Sequence, residues 1–289
     1  MADRARPAIS VVIPAYNPDR RLLRSLSCIA AQDFTDHEVV ICDDGSTSPE
    51  AAALFAELPP EITLLHQENA GPAAARNRAV AAARADLIFT MDCDDEIATD
   101  CLFRLKAALD EDPAAGYACS YVELVGERRG VVGWPTNLFE LLFSCRPSQS
   151  LLLPKALWQS LGGQDEAMRR GLEDWEFLLR LARAGYLGSV VPAPLVRYHV
   201  SSQGHHSRNA MRLLAENQKY MREKHANCYS WKGLFRLWWK CRKKPSRRPL
   251  IVYFPLRLAQ SLLPGGLYTS VMGSVLRRRW ARAARRHAS

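Results

Sequence analysis

The feature that most restricts the fold is a regular alternation of short apolar runs with helical patterns across the first 125 residues. The runs "AISVVIP" (8–14), "EVVICD" (38–43), "ITLLH" (62–66), "DLIFTMD" (86–92) and "AGYACSYVEL" (115–124) are rich in β-branched and aromatic side chains. Helical spacing fills the gaps. Leu22, Leu26 and Ile29 share one face within 19–31, "PAAARNRAVAAARA" spans 72–85, and a further helix is predicted over about 99–110. Strands that are apolar throughout, rather than at alternate positions, are covered on both faces. Their alternation with helices predicts an α/β fold, a mostly parallel central sheet flanked by helices. At 289 residues the chain has ample core for one large domain, or for one domain with an appendage.

Ligands of such sheets bind outside the carboxyl ends of the strands, and polar residues gather there. "PAYNP" (14–18) follows the first run, "DDGSTSPE" (43–50) the second and "DCDDE" (92–96) the fourth. Within "DDGSTSPE", Thr47 and Glu50 have the spacing of a capping box, Pro49 suits a first helical turn and Gly45 a tight turn. That leaves unexplained two successive acids on leaving a buried strand. An Asp there can accept from a base N–H, so a turn and a nucleotide site fit this motif about equally. In "DCDDE", Thr99 or Asp100 is better placed to cap the next helix, which leaves Asp92, Asp94 and Asp95 without a structural task. If extended backbone continues through the triplet, Asp92 and Asp94 project from the same face. Two carboxylates around one divalent ion suit a hard cation, Mg²⁺ or Mn²⁺, that also carries a diphosphate. Farther on, "RRGLEDWEFLLRLARAG" (169–185) puts Glu173, Glu176, Arg180 and Arg183 on one polar helical face. Asp174 falls in line with Leu178 and Leu181 instead, on a face expected to be covered. An inward carboxylate at a helix start beside a cleft is a suitable general base.

The eight cysteines show no C-x-x-C pair, and several lie in apolar runs, the pattern of reduced, buried thiols in a cytosolic protein. "MADRARPAIS" lacks the apolar core of a signal peptide, and no run approaches the ~20 apolar residues of a spanning helix. Charge is uneven. Of the 39 Lys and Arg, 16 fall from Lys224 onward, where there is no Asp or Glu, so the net +9 combines an acidic body with a basic tail. The predicted division is a catalytic domain over 1–223 and a basic, aromatic-rich helical extension over 224–289. There "WKGLFRLWWKCRKK" (231–244) sets Trp231, Leu234, Phe235, Trp238 and Trp239 at helical spacing among cations. An apolar stretch (250–276), broken by Pro255 and Pro264, and "RRRWARAARR" (277–286) complete it. Three readings fit the tail: an accessory subdomain packed on the body, peripheral contact with an anionic membrane surface, and nucleic-acid binding. Tryptophans beside arginines suit the membrane interface best, and with no nucleic-acid motif present, nucleic acid is not an expected partner.

Taken in order, "SVVIPAYN", "VVICDDGST", "NAGPAAARN", "IFTMDCDD" and "GLEDWEFLLRL" resemble the inverting glycosyltransferases of family 2, of the non-processive bacterial type, over roughly residues 8 to 200. The resemblance implies the GT-A fold. It implies transfer of a sugar from a nucleotide-diphosphate donor to a hydroxyl of a saccharide or lipid-linked saccharide acceptor, with inversion at the anomeric carbon. Carried over by position, Pro14, Ala15 and Tyr16 line the nucleotide pocket, Asp44 accepts from the base and Arg76 contacts the nucleotide side. Asp92, Asp94 and Asp95 become a D-x-D motif for Mg²⁺ or Mn²⁺, Asp92 also facing the donor, with His199 of Arg197-x-His199 a further metal-side group. Asp174 becomes the catalytic base. Residues 125–165, which include Trp134 and Trp158, face the acceptor in the family, although core packing accounts for either Trp equally well. No Gln-x-x-Arg-Trp occurs, which argues against a processive synthase, and "PAYNPDRR" lacks the glycines expected of a nucleotidyltransferase. The expected setting is cytoplasmic, peripheral on the cytoplasmic face of the membrane, in cell-surface polysaccharide biosynthesis. The alternative is a non-catalytic nucleotide-sugar-binding or scaffolding protein of the same fold.

Overall fold

The structure is a computed structural model that describes residues 6–133, 137–143, 150–169, 171–200 and 210–242, with backbone alone over 210–215. The four predicted strands that open the chain form where expected: β1 (Ile9–Ala15), β2 (His37–Asp43), β3 (Thr63–His66) and β4 (Leu87–Thr90). They are joined by α1 (Arg21–Ala30), α2 (Pro49–Ala56) and α3 (Pro72–Ala82). Next come β5 (Glu96–Ile97), α4 (Cys101–Glu111), β6 (Ala115–Gly126), β7 (Gly130–Val132), α5 (Leu138–Leu141), β8 (Leu151–Pro154) and α6 (Lys155–Ser160). The described chain ends with α7 (Glu173–Arg183), β9 (Leu187–Val200), α8 (Ala210–Lys224), α9 (Ala226–Tyr229) and α10 (Trp231–Cys241).

One sheet runs β3-β2-β1-β4-β8-β6-β9-β5, with β7 on β6. The first four strands are mutually parallel, so the carboxyl ends of β1, β2 and β4 open along one edge. Beyond them the sheet is mixed, because β8 enters antiparallel between β4 and β6 while β9 lies parallel to β6. An apolar run does not encode its direction, and the sequence carried no signal for this insertion. Strand pleating divides the apolar residues between two cores. Val12, Val40 and Ile88 face the layer of α3, α5 and α7. Val11, Ile13, Ile41 and Phe89 face α1 and α4. The seven described cysteines are free thiols, as composition predicts.

Three local expectations change. The cap of α2 is Ser48, whose Oγ accepts from the Ala51 N–H at 3.1 Å, one residue later than the capping box predicts. Pro49 at the first helical position makes its predecessor the cap. Neither Thr99 nor Asp100 caps α4 through its side chain; Asp100 pairs with Arg104 instead. On α7 the expected polar face is not a solvated one. Glu173 and Glu176 are both buried, because partners from other parts of the chain reach them.

Those partners bear on the tail. Glu176 Oε1 lies 3.0 Å from His225 Nε2 and 2.9 Å from Lys224 Nζ, and its carboxylate also receives Arg180. Burial alone would raise the Glu176 carboxyl, but the His225, Arg180 and Lys224 contacts outweigh it and hold it low. Leu234, Leu237 and Cys241 of α10 join the same core as α5 and α7, and Tyr229 Oη donates to the Leu142 carbonyl. The boundary expected between 223 and 224 therefore falls inside a packed region, and the body continues to at least residue 242. The opposite face of α10 exposes Trp231, Phe235 and Trp239, at 51%, 58% and 54% of their surface. Trp158, an expected acceptor-side aromatic, is buried in the core against Phe177, whereas Trp134 and the stretches 250–276 and 277–286 lie outside the described residues. Among the described residues no helix is long and apolar enough to cross a membrane.

Candidate active site

The loops that leave β1 and β2 are fastened to each other by Asn17. Its Oδ1 accepts from the N–H groups of Thr47 and Ser48 at 2.8 and 2.9 Å, and its own N–H donates to Ser46 Oγ. Asn17 adopts a left-handed φ of 44°, which Asn tolerates better than most residues. The sequence reading passed over it. Pro14 and Ala15 are buried within β1, while Tyr16 is exposed at the open end of the strand.

Asp44 has a structural task that the sequence reading did not include. It is buried, and its carboxylate accepts from Gln67 Nε2 at 2.7 Å and from the N–H groups of Ala70 and Gly71, both at 2.8 Å. It thus ties the loop after β3 and the start of α3 to the end of β2. Gly45 and Gly71 serve the same junction at φ of 75° and 96°, and a Cβ on Gly45 would stand 2.8 Å from the Asn69 nitrogen.

The "DCDD" segment is a turn, not a continued strand: the Asp95 N–H donates back to the Asp92 carbonyl at 3.3 Å. Its four residues consequently diverge. Asp92 Oδ1 receives Arg76 Nη2 at 2.6 Å, and Asp94 Oδ2 receives Arg21 Nη1 at 2.9 Å. Asp95 is fully buried and its carbonyl takes the Ser25 hydroxyl at 2.6 Å, so it does not join the other two at an open site. His199 is likewise elsewhere, its Nε2 2.9 Å from Glu96 Oε1, because Glu96 in β5 pairs across to β9. Arg76, expected on the nucleotide, is only 1% exposed. It bridges Asp92 to Gln164 and, at 3.5 Å, to Glu173.

Strand alternation explains both the misplaced His199 and a residue the sequence reading missed. Arg197 and His199 share one side of β9 and meet Glu96 and Glu123. Tyr198 takes the other side, where burial first, and then the charges of Asp92, Asp95, Asp94 and Asp174, push its hydroxyl well above the ordinary range. Tyr198 is thus a half-buried neighbour of these acids.

Asp174 stands on the first turn of α7. The turn is entered through Gly171 and Leu172, both left-handed, at φ of 101° and 68°. For Leu that conformation costs roughly 1–2 kcal/mol, and Asn217 Nδ2 holds the Gly171 carbonyl at 2.7 Å. The Asp174 carboxyl is pushed up to about 7, by burial first and then by Glu173 and Asp92, against the Trp175 N–H and Arg76 that favour its charged form. A carboxyl so tuned can take a proton near neutral pH. Asp94 is also raised, by burial and then by Asp92, with Arg21 opposing.

Asp92 and Asp94 fit a hard divalent cation in donor chemistry. Both offer oxygens, and both keep part of their side chain accessible. The expected set of Asp92, Asp94, Asp95 and His199 is not assembled. Among the described residues no three His, Cys, Asp or Glu side chains gather as a metal cluster, so the remaining ligands would come from a substrate and water.

Comparison with known proteins agrees with this architecture. The model of glycosyl transferase family 2 matches residues 10–142. The uncharacterised glycosyltransferase YibD of Escherichia coli (strain K12) is 40% identical over 91 residues, 31% of this chain and 26% of that protein. Chondroitin synthase of Escherichia coli is 30% identical over 189 residues, 62% of this chain and 27% of that protein. The chain thus spans only about a quarter of either relative. Among solved structures, S. aureus TarS 1–349 in complex with UDP-GlcNAc superposes with a TM-score of 0.62 at 18% identity, covering 93% of this chain and 91% of that one. That likeness identifies the fold, GT-A.

Proposed function

We propose that the protein, whose residues 10–142 match the model of glycosyl transferase family 2, moves a sugar from a nucleotide-diphosphate donor to an acceptor hydroxyl, with inversion. The observation that carries this reading is Asp174, a carboxyl at a helix start whose proton affinity is raised toward neutrality beside the Asp92–Arg76 pair. Asp174 takes the acceptor's hydroxyl proton as that oxygen bonds to the anomeric carbon. The bond to the diphosphate breaks on the opposite face, and the leaving group departs with the electron pair. A single base and a single displacement give inversion. Tyr16, at the open end of β1, forms a wall for the nucleotide. Arg76 keeps Asp92 and Glu173 fixed before substrate arrives, which is the value of a pre-set site. A bound Mg²⁺ or Mn²⁺, held by Asp92 and Asp94, would neutralise charge growing on the leaving diphosphate.

TarS has been crystallised with UDP and with UDP-GlcNAc, so UDP-sugars head the proposed donors, with a saccharide or lipid-linked saccharide of the cell surface as acceptor. The test is a panel of nucleotide sugars with Mn²⁺ or Mg²⁺, read by thermal shift and by release of nucleoside diphosphate. One donor should stabilise the protein and turn over, and Asp94→Asn should remove both effects. Binding without any turnover favours the non-catalytic alternative. Failure to bind any nucleotide sugar sinks the reading.

A second proposal concerns location. The exposed Trp231, Phe235 and Trp239 lie four residues apart along α10, with Lys232, Arg236, Lys240 and Arg242 among them. That combination suits the surface of an anionic bilayer, here the cytoplasmic face of the membrane. Sedimentation with phosphatidylglycerol vesicles should be strong at low salt and weaken as salt rises. No binding at low salt overturns it.

A further inference from the structure

The two carboxylates of the candidate cation site are not balanced in the same way. Asp92 is held by Arg76, a guanidinium that is 1% exposed, donates to three partners and is built into the interior. Asp94 is held by Arg21, which is 38% exposed on its side chain, as is Asp94 itself. One of these cations is a fixture, while the other stands at the mouth of the site.

The local structure explains why Arg21 is there. It is the first residue of α1, and its Nε lies 3.0 Å from both oxygens of Asp19, whose Oδ1 also accepts the Arg21 N–H at 2.9 Å. One turn later, Ser25 is buried with its Oγ 3.0 Å from the Cys93 carbonyl and 2.6 Å from the Asp95 carbonyl. The hydroxyl therefore pins α1 to the turn on either side of Asp94, and the side chain one turn earlier is delivered over that carboxylate. Arg21 Nη1 reaches Asp94 Oδ2 at 2.9 Å, one of the two oxygens that a cation ligated by Asp94 would draw on, and so competes with a cation for that carboxylate.

We propose that Arg21 is a diphosphate-binding residue held in reserve: it neutralises Asp94 while the site is empty, and turns to the donor's diphosphate when a divalent cation takes over that carboxylate. This rests on the glycosyl-transfer reading above. A cation held by Asp94 would bring the donor's phosphate oxygens close to that carboxylate. The displaced guanidinium thus has an anion to receive it a short rotation away, and its planar fork matches phosphate. The same exchange makes cation and diphosphate bind cooperatively. Either one alone competes with the Arg21–Asp94 pair, whereas together they replace it, and by linkage each raises the other's affinity by the same factor.

The test compares full-length wild type with Arg21→Gln and Arg21→Lys. Free Mn²⁺ is followed by electron paramagnetic resonance without nucleotide, and UDP, GDP, ADP and CDP are titrated calorimetrically at saturating Mn²⁺. Removing a half-exposed pair should tighten Mn²⁺ binding alone by roughly two- to five-fold in Arg21→Gln. Losing a charge-assisted contact should weaken binding of the preferred nucleoside diphosphate by roughly ten- to a hundred-fold. Arg21→Lys should recover part of both. Equal Mn²⁺ affinity, or equal diphosphate affinity, in wild type and Arg21→Gln overturns the proposal while leaving the transfer reading standing. If wild type binds neither Mn²⁺ nor any of the diphosphates, the transfer reading fails and this one with it. Asp19→Asn, which loosens Arg21 without touching its charge, provides a second variant: it should tighten diphosphate binding or leave it unchanged, and weakening would count against Arg21 as the receiving group.

Discussion

Replacing Asp174 with Asn is expected to make the protein more stable and less active at once. A carboxyl carried from its ordinary 3.8 to about 7 on folding leaves its charged form disfavoured by about 4 kcal/mol relative to the unfolded chain. The side chain keeps some contact with water, and Glu173 shares the electrostatic cost, so on the order of 2–4 kcal/mol is expected. The sign follows from the direction of the shift. The folded value is above the unfolded one, so protonated Asp174 favours the fold at low pH, and that contribution is lost as pH rises from 3.8 to about 7. Asn does not titrate. Urea denaturation across pH should therefore find Asp174→Asn and wild type similar near pH 4, and the variant more stable by roughly 2–4 kcal/mol at pH 8. In the same variant transfer should fall by roughly 10²–10⁴ with donor affinity unchanged. Wild-type kcat should rise with pH up to about 7, the value at which Asp174 becomes an effective base. Equal stability at pH 8 would refute the burial argument. Retained transfer, or lost donor binding, would refute the role of Asp174 as a simple base.

Arg76→Met removes a buried cation from between Asp92 and Glu173, and should cost about 3–5 kcal/mol in urea melts along with donor binding; a near-neutral change would mean that the bridge is not structural. Asp44→Asn removes a charge that accepts three hydrogen bonds and should destabilise by about 1–3 kcal/mol. If it instead melts like wild type and loses only nucleotide affinity, Asp44 contacts the base after all. His225→Leu leaves Glu176 buried with fewer partners, and should lower stability by about 1–3 kcal/mol at neutral pH. Because the Glu176 carboxyl is held low, that penalty should shrink as pH falls below its ordinary 4.5, and a pH-independent penalty would point to lost packing alone.

The sequence by itself determined the first four strands, the helices between them and the edge on which their polar ends gather, because each depends on contacts a few residues apart or on a period of two or 3.6. The resemblance to a known family, carried by motifs at those strand ends and at one helix start, implied that Asp92, Asp94 and Asp174 share a site. The partners that tune these residues were not legible. Arg76 meets Asp92 and Glu173 across 16 and 97 residues, and Arg21 meets Asp94 across 73. No local pattern records such a meeting. The carboxylates diverge because a 3.3 Å turn bond folds the segment back, where extension would have kept Asp92 and Asp94 on one face. Tyr198 reaches the site because register puts it opposite its neighbours Arg197 and His199 on β9. The tail was set apart by its charge and aromatic content, with packing on the body one of three readings, and residues 224–242 join the body because Glu176 is buried and meets Lys224 and His225. Only the tertiary structure could decide that, since the cost of burying a carboxylate is met by groups that the chain brings from nearly fifty residues away.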